Sequence, residues 1–154
     1  MKITSREQLK RLDDWRDSSL LVLDRPNIEK ALGATPTAIG VYFMGHSADG
    51  SHAQFQLKYV GKAVEQPLYK RLTQHVRASH NDRVRSALAA AASKTGDPVY
   101  FRFAVFTSVS LAEEVEGLSI AAFLWHVDKA TGKTKWTGWN KRNEWSQHWP
   151  EGQE

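Results

Sequence analysis

Arg71 and His75 stand four residues apart in "PLYKRLTQHVRASH". On a helix that spacing puts them on one face. A guanidinium beside an imidazole can engage a phosphate, the guanidinium through its planar fork. The same spacing fits a surface pair on an amphipathic helix. Glu116, in "SLAEEVEGLSIAAFLWHV", is the most unusual single residue. At helical pitch it is surrounded by Ala112, Ser119, Ile120 and Phe123, all small or apolar. A carboxylate on such a face is costly unless it meets a partner or a metal ion. An arginine from the sheet or from a neighbouring helix would serve equally well as that partner. Tyr42 and Tyr59 each lie close to a glycine, in "GVY" at 40–42 and "YVG" at 59–61. Glycine inside a strand marks a bulge or a close approach by another group.

Near the end of the chain, "KTKWTGWNKRNEW" interleaves Lys133, Lys135, Lys141 and Arg142 with Trp136, Trp139 and Trp145. Aromatic faces stack on unpaired bases while cations follow phosphates. The alternative is that the tryptophans close an open edge of the core. His46, His52, His80, His126 and His148 show no metal-ligand spacing and read as surface or loop residues.

These residues need elements to hold them. "SREQLKRLDDWR" has a Ser5 cap and apolar spacing at Leu9, Leu12 and Trp15, a helix pattern. "RPNIEKALGATPTA" gives a short helix stopped at Gly33. "AIGVYFMGHS" and "FQLKYVGK" are strands, joined as a hairpin through "ADGSHAQ". The Arg71 helix buries Leu68, Leu72 and Val76. "NDRVRSALAAAASKTG" is a helix capped at Asn81 or Asp82 and closed by Gly96, and "PVYFRFAVFT" is a third strand. The Glu116 helix follows, with Ser110 and Glu113 as a capping box, and the rest is an irregular, Trp-rich tail. The expected fold is α+β, with a small three-stranded, mostly antiparallel sheet flanked by helices in the order β-β-α-α-β-α.

The bulk properties bound the function. The 154 residues suit one domain with a core of its own. Hydrophobic residues make up 41% and charged residues 25%, which excludes a disordered or fibrous chain. There is no cysteine, hence no disulfide, thiolate nucleophile or Cys-ligated zinc. No apolar run is long enough to span a bilayer and the N-terminus lacks a signal-peptide core, so the expectation is a cytoplasmic protein without a membrane partner. The net charge is +4, and it is unevenly placed. Between Lys58 and Arg85 seven basic side chains face two acidic ones, and Lys129 to Arg142 holds five basic residues and no acidic one. Two basic segments suggest a polyanionic partner, although a solvated basic surface has the same composition.

Taken together, these pieces resemble the GIY-YIG nuclease superfamily. "GVY" at 40–42 and "YVG" at 59–61 stand where the family has its two name motifs, with Val for Ile in both. Lys62 and Arg71 match the family's following Lys and helical Arg. "AEEVEGLSI" is similar to its third core helix, in which a Glu precedes an Ile by four; that assigns Glu116 rather than Glu113 or Glu114. "GWNK" resembles the terminal Asn motif and points to Asn140, with Asn143 as the alternative. His75 is similar to what restriction-enzyme members carry. The resemblance covers about residues 38–142 and implies one nuclease domain over 1–154: an N-terminal helical extension at 1–36, a core at 38–125 and a tail at 126–154 with the Asn motif.

The resemblance implies a metal-dependent DNA endonuclease that hydrolyses phosphodiester bonds, with one Mg2+ (or Mn2+) held by Glu116. Tyr42 would help activate the attacking water, directly or by passing a proton to Lys62 or His75. Lys62, Arg71 and the metal could lower its phenol pKa. Tyr59 would position water or phosphate, Arg71 would neutralise developing charge, and Asn140 would complete the catalytic set. Lys58, Lys70, Arg77, Lys133, Lys135, Trp136, Lys141 and Arg142 are the expected DNA contacts. The other reading is a catalytically inactive nucleic-acid-binding module on the same fold.

Overall fold

The computed structural model describes residues 20–127, 130–131, 134–136 and 138–140, of which 125–127 and 134–136 are described as backbone only. The helix expected at Ser5 falls outside them. The first described elements are strand β1 (Leu21–Val22) and helix α1 (Arg25–Leu32). Asp24 caps α1 by accepting from the Asn27 amide at 2.8 Å. The helix ends at Gly33, as the sequence suggests.

The hairpin follows: β2 (Ile39–Ser47) pairs antiparallel with β3 (Phe55–Ala63). Helices α2 (Leu68–Ala78) and α3 (Asp82–Ala92) lead to β4 (Tyr100–Phe106) and helix α4 (Val109–Phe123). The sheet runs β1-β4-β2-β3, all antiparallel. It therefore has four strands where three were expected; the extra one is the two-residue β1, Leu21 opposite Phe101 and Val22 opposite Tyr100. A two-residue strand has too few positions to show alternation. The tail is also less irregular than expected. Strands β5 (Trp125–Val127) and β6 (Thr134–Trp136) form a separate antiparallel hairpin.

Helices cover both faces of the sheet. On one, Tyr42, Met44, Tyr59 and Phe101 pack with Ile28 and Leu32 of α1, Leu68 and Leu72 of α2 and Val84 of α3. On the other, Val41, Phe43, Val60, Ala104 and Phe106 pack with Ala112, Val115, Ile120 and Ala122 of α4. A strand buried on both faces reads as a continuous apolar run, as β2 does from Val41 to Met44.

Two local expectations change. Helix α4 is capped by Ser108, whose side chain accepts from the Leu111 amide at 3.2 Å, so the Ser110–Glu113 capping box does not form. Ser110 already lies inside the helix, and Glu113 pairs with Lys62. In α2 the buried stripe is Leu68, Leu72 and His75, while Val76 is only partly buried. His75 is 2% exposed, so the surface-pair reading of Arg71 and His75 does not hold for the histidine.

Candidate active site

Tyr42 and Gly61 are direct partners across the β2–β3 ladder. A Cβ on Gly61 would lie 2.2 Å from Cζ of Tyr42 and 2.3 Å from its hydroxyl oxygen. The glycine of "YVG" is therefore the seat of the Tyr42 ring. Tyr59 leans toward the same place, its ring centroid 6.1 Å from that of Tyr42. His75, on α2, closes the group at 5.5 Å from each tyrosine ring.

Beside the tyrosines a cleft of about 740 Å³ opens at the β3 end of the sheet. Tyr42, Tyr59, Lys62, Arg71 and Glu116 all line it, brought there by β2, β3, α2 and α4. His75 lies behind Tyr42. Its Nε2 is 2.8 Å from the Tyr42 hydroxyl and its Nδ1 is 2.8 Å from Ser79 Oγ. Ser79 Oγ also accepts from the Asn81 backbone amide at 3.2 Å.

Burial dominates the electrostatics. It pushes the Tyr42 phenol up to about 12, although Arg71 pulls the other way by charge and hydrogen bond and Tyr59 by hydrogen bond. Burial, aided by the charges of Arg71 and His80, holds His75 down at about 3. Around pH 7 the pair is a neutral phenol against a neutral imidazole. Arg71 does pull the Tyr42 pKa down, as expected, but in the free protein desolvation outweighs it. Lys62 donates to Glu113 Oε2 at 3.0 Å in a partly exposed ion pair.

Asn140 is brought close to the site but not into the cleft lining. It is 2% exposed; its Oδ1 accepts from Val60 N at 2.9 Å and its Nδ2 donates to Val60 O at 2.7 Å. The side chain thus pairs with the free edge of β3 as another strand would. Trp139 N donates to Lys58 O in the same line, and Trp139 O accepts from Asn81 Nδ2 at 3.0 Å. The Trp139 ring is partly buried, edge-on to His46 at 5.3 Å between centroids. For this tryptophan the core-closing alternative fits.

Lys70 and Arg77 are exposed on α2, seven residues apart and so on one side of it, and Lys58 is partly exposed on β3. Lys135 and Trp136 lie in β6, where only the backbone is described. Lys133, Lys141, Arg142, Asn143 and Trp145 fall outside the described residues.

Three further residues stand at the site: Ser79 and Gln66, which no motif marks, and His80, read from the sequence as a surface or loop residue. His80 also lines the cleft, with Nε2 3.3 Å from Arg71 Nη2; a guanidinium only donates, so that nitrogen accepts. It stands beyond the end of α2, where helical periodicity no longer places side chains. Ser79, at the end of the same helix, carries no motif signal. Gln66 lines the cleft from the loop before α2, and its buried Oε1 has no hydrogen-bond partner. A buried acceptor without a donor calls for an explanation.

Among the described residues no group of three or more His, Cys, Asp or Glu side chains could hold a metal ion. The cleft does offer oxygen donors in Glu116 and Gln66 Oε1. Mg2+ is commonly bound by one or two carboxylates with water and substrate phosphate completing the shell. The donor set fits a cation of that kind. No protein-family model, curated protein or solved structure matches the chain.

Proposed function

We propose that the chain is a metal-dependent DNA endonuclease of the GIY-YIG type. The observation that carries this reading is the meeting of Tyr42, Tyr59, Arg71 and Glu116 from four elements in one cleft, with His75 bonded to Tyr42 behind it. A module that only binds nucleic acid needs cations on its surface. It has no need of a buried phenol–imidazole pair facing a carboxylate.

Glu116, with Gln66 Oε1, would hold the cation. When bound, the cation would polarise the phosphoryl oxygen and stabilise the leaving oxygen. The chain's own residues do the rest. Arg71 pairs with the scissile phosphate and neutralises its developing charge. Tyr59 positions the water or the phosphate. As a phenolate, its own proton given up to solvent once Arg71 and a bound cation offset the burial that holds its pKa high, Tyr42 would take the proton of the attacking water. His75, held at about 3, is a poor proton acceptor near neutral pH, and Lys62 is engaged by Glu113.

The test is supercoiled plasmid incubated with Mg2+ or Mn2+ and with a chelator. Metal-dependent nicking or linearisation with hydrolytic ends supports the endonuclease. Retardation of the plasmid with no cut under any metal condition supports the inactive binding module.

A further inference from the structure

The turn between α2 and α3 carries an exposed side chain between two buried ones. Ser79 is 3% and Asn81 2% exposed, while His80 between them is open to solvent. Hydrogen bonds hold this turn from several sides. Asn81 N donates to Ser79 Oγ at 3.2 Å, and Arg85 Nη1 donates to Ser79 O at 2.9 Å. Asn81 Oδ1 accepts from the Arg83 and Val84 amides at 3.0 Å each, and Asn81 Nδ2 donates to Trp139 O at 3.0 Å. A backbone tied down on both sides of His80 fixes where its ring can go. The ring goes into the cleft, 5.4 Å from the His75 ring, and its Nε2 lies 3.3 Å from Arg71 Nη2. One partner alone sets the direction of that bond. A guanidinium stays charged and has only N–H groups to offer, so Nε2 carries the lone pair and the imidazole proton is on Nδ1.

We propose that His80 is a positioning residue: its neutral imidazole accepts from Arg71 Nη2 and holds the guanidinium in the cleft before a phosphate arrives. Arginine has many rotamers, and ordering them in advance removes that entropic cost from the step that uses the group. The bond to His80 engages one N–H and leaves the others of the fork for an anion. The part in phosphodiester cleavage rests on the nuclease reading; the Arg71–His80 pair rests on the geometry alone.

The order of Arg71 is the first readout. In 15N-labelled full-length protein at pH 7, without metal or DNA, the heteronuclear NOE of the Arg71 Nε–H reports side-chain mobility, its signal assigned by its absence from Arg71→Ala. The expected result is a rigid Arg71 in wild type and in His80→Gln, whose amide oxygen can accept from about the position of Nε2, and a mobile one in His80→Ala. Long-range 1H–15N correlation should show His80 Nε2 without a proton. A mobile Arg71 in wild type, an equally rigid one in a folded His80→Ala, or a protonated Nε2 would overturn the proposal. Cleavage is the second readout. His80→Ala should lower the single-turnover rate at saturating DNA by about 10- to 10²-fold, as for a group held out of place, with DNA affinity little changed. His80→Gln should recover most of that loss. In an Arg71→Ala background His80→Ala should cost nothing more, because its effect runs through Arg71. The same fold loss in both backgrounds would mean that His80 acts by itself, and would overturn the positioning role. A rigid Arg71–His80 pair in a protein that cuts no DNA would support the pair and overturn the nuclease reading. Cleavage by a wild type whose Arg71 stays equally rigid in His80→Ala would do the reverse.

Discussion

Glu116 and Arg71 line the same cleft with opposite charges, so their loss has different consequences for a bound phosphate. On the nuclease reading, Arg71→Ala removes the cation that would neutralise developing charge and should cost roughly 3–4 kcal/mol in transition-state stabilisation, read from single-turnover rates. His75→Ala should cost less. If the histidine variant is the more damaged of the two, Tyr42 is not the principal base. The pH dependence of folding follows from the direction of the His75 shift. A neutral folded-state imidazole near pKa 3 against an unfolded value of 6.5 means that the unfolded chain binds more protons below pH 6.5. Stability is therefore full above 6.5 and declines as pH falls toward 3, by up to about 1.4 kcal/mol per pH unit. Urea unfolding at pH 4 and 7 should show a steeper loss for wild type than for His75→Gln. Tyr42, Tyr59, Arg71 and Glu116 were legible because each sits in a short motif on a regular element. Ser79, His80 and Gln66 were not. They stand in turns, where periodicity places nothing, and only the path of the chain reveals what they face.

The β3 strand does two jobs along its length. Gly61 makes room for Tyr42, while Lys58 and Val60 offer their backbone groups to Trp139 and Asn140. Gly61→Ala would drive a methyl into the Tyr42 ring. The expected cost is about 1–3 kcal/mol of stability together with displacement of the phenol, so activity should fall more than the melting temperature implies. Asn140→Ala would leave the Val60 N–H and C=O without their side-chain partner. It should lower stability by roughly 1–3 kcal/mol in a denaturant melt, and cleavage should recover at low temperature where the fold is intact. A fully stable but inactive Asn140→Ala would instead place the amide in the chemistry. Asn140 shows the limit of the motif. Its position was readable, but its pairing with Val60, eighty residues earlier, depends on how the tail crosses the sheet edge. The hairpin and the α+β order were legible from short apolar runs bounded by turn residues and from capping signals. Strand β1 and the β5–β6 hairpin were not, because segments of two or three residues carry no period.

For the whole molecule, the placement of surface charge governs which partner can dock. Among the described residues no helix is long and apolar enough to cross a membrane. The exposed cations Lys70 and Arg77 lie on the helix that carries Arg71. If they follow the DNA backbone, replacing both with alanine should flatten the slope of log K against log[salt] by about 1.4–1.8 units, at roughly 0.7–0.9 per phosphate contact. An unchanged slope would move the DNA path away from α2, toward Lys133, Lys135, Lys141 and Arg142. The basic segments were visible as counts along the chain, but the side of α2 on which Lys70 and Arg77 stand depends on how that helix packs against the sheet. The central claim is that this cleft hydrolyses DNA with the help of a cation on Glu116. Its most direct test is plasmid cleavage in Mg2+ or Mn2+ by wild type and Glu116→Gln, with DNA binding measured in parallel. The account predicts that wild type cuts and that Glu116→Gln does not, while binding DNA as tightly or more tightly because a negative charge has been removed. A wild type that binds without cutting, or a Glu116→Gln that cuts at the wild-type rate, would contradict it.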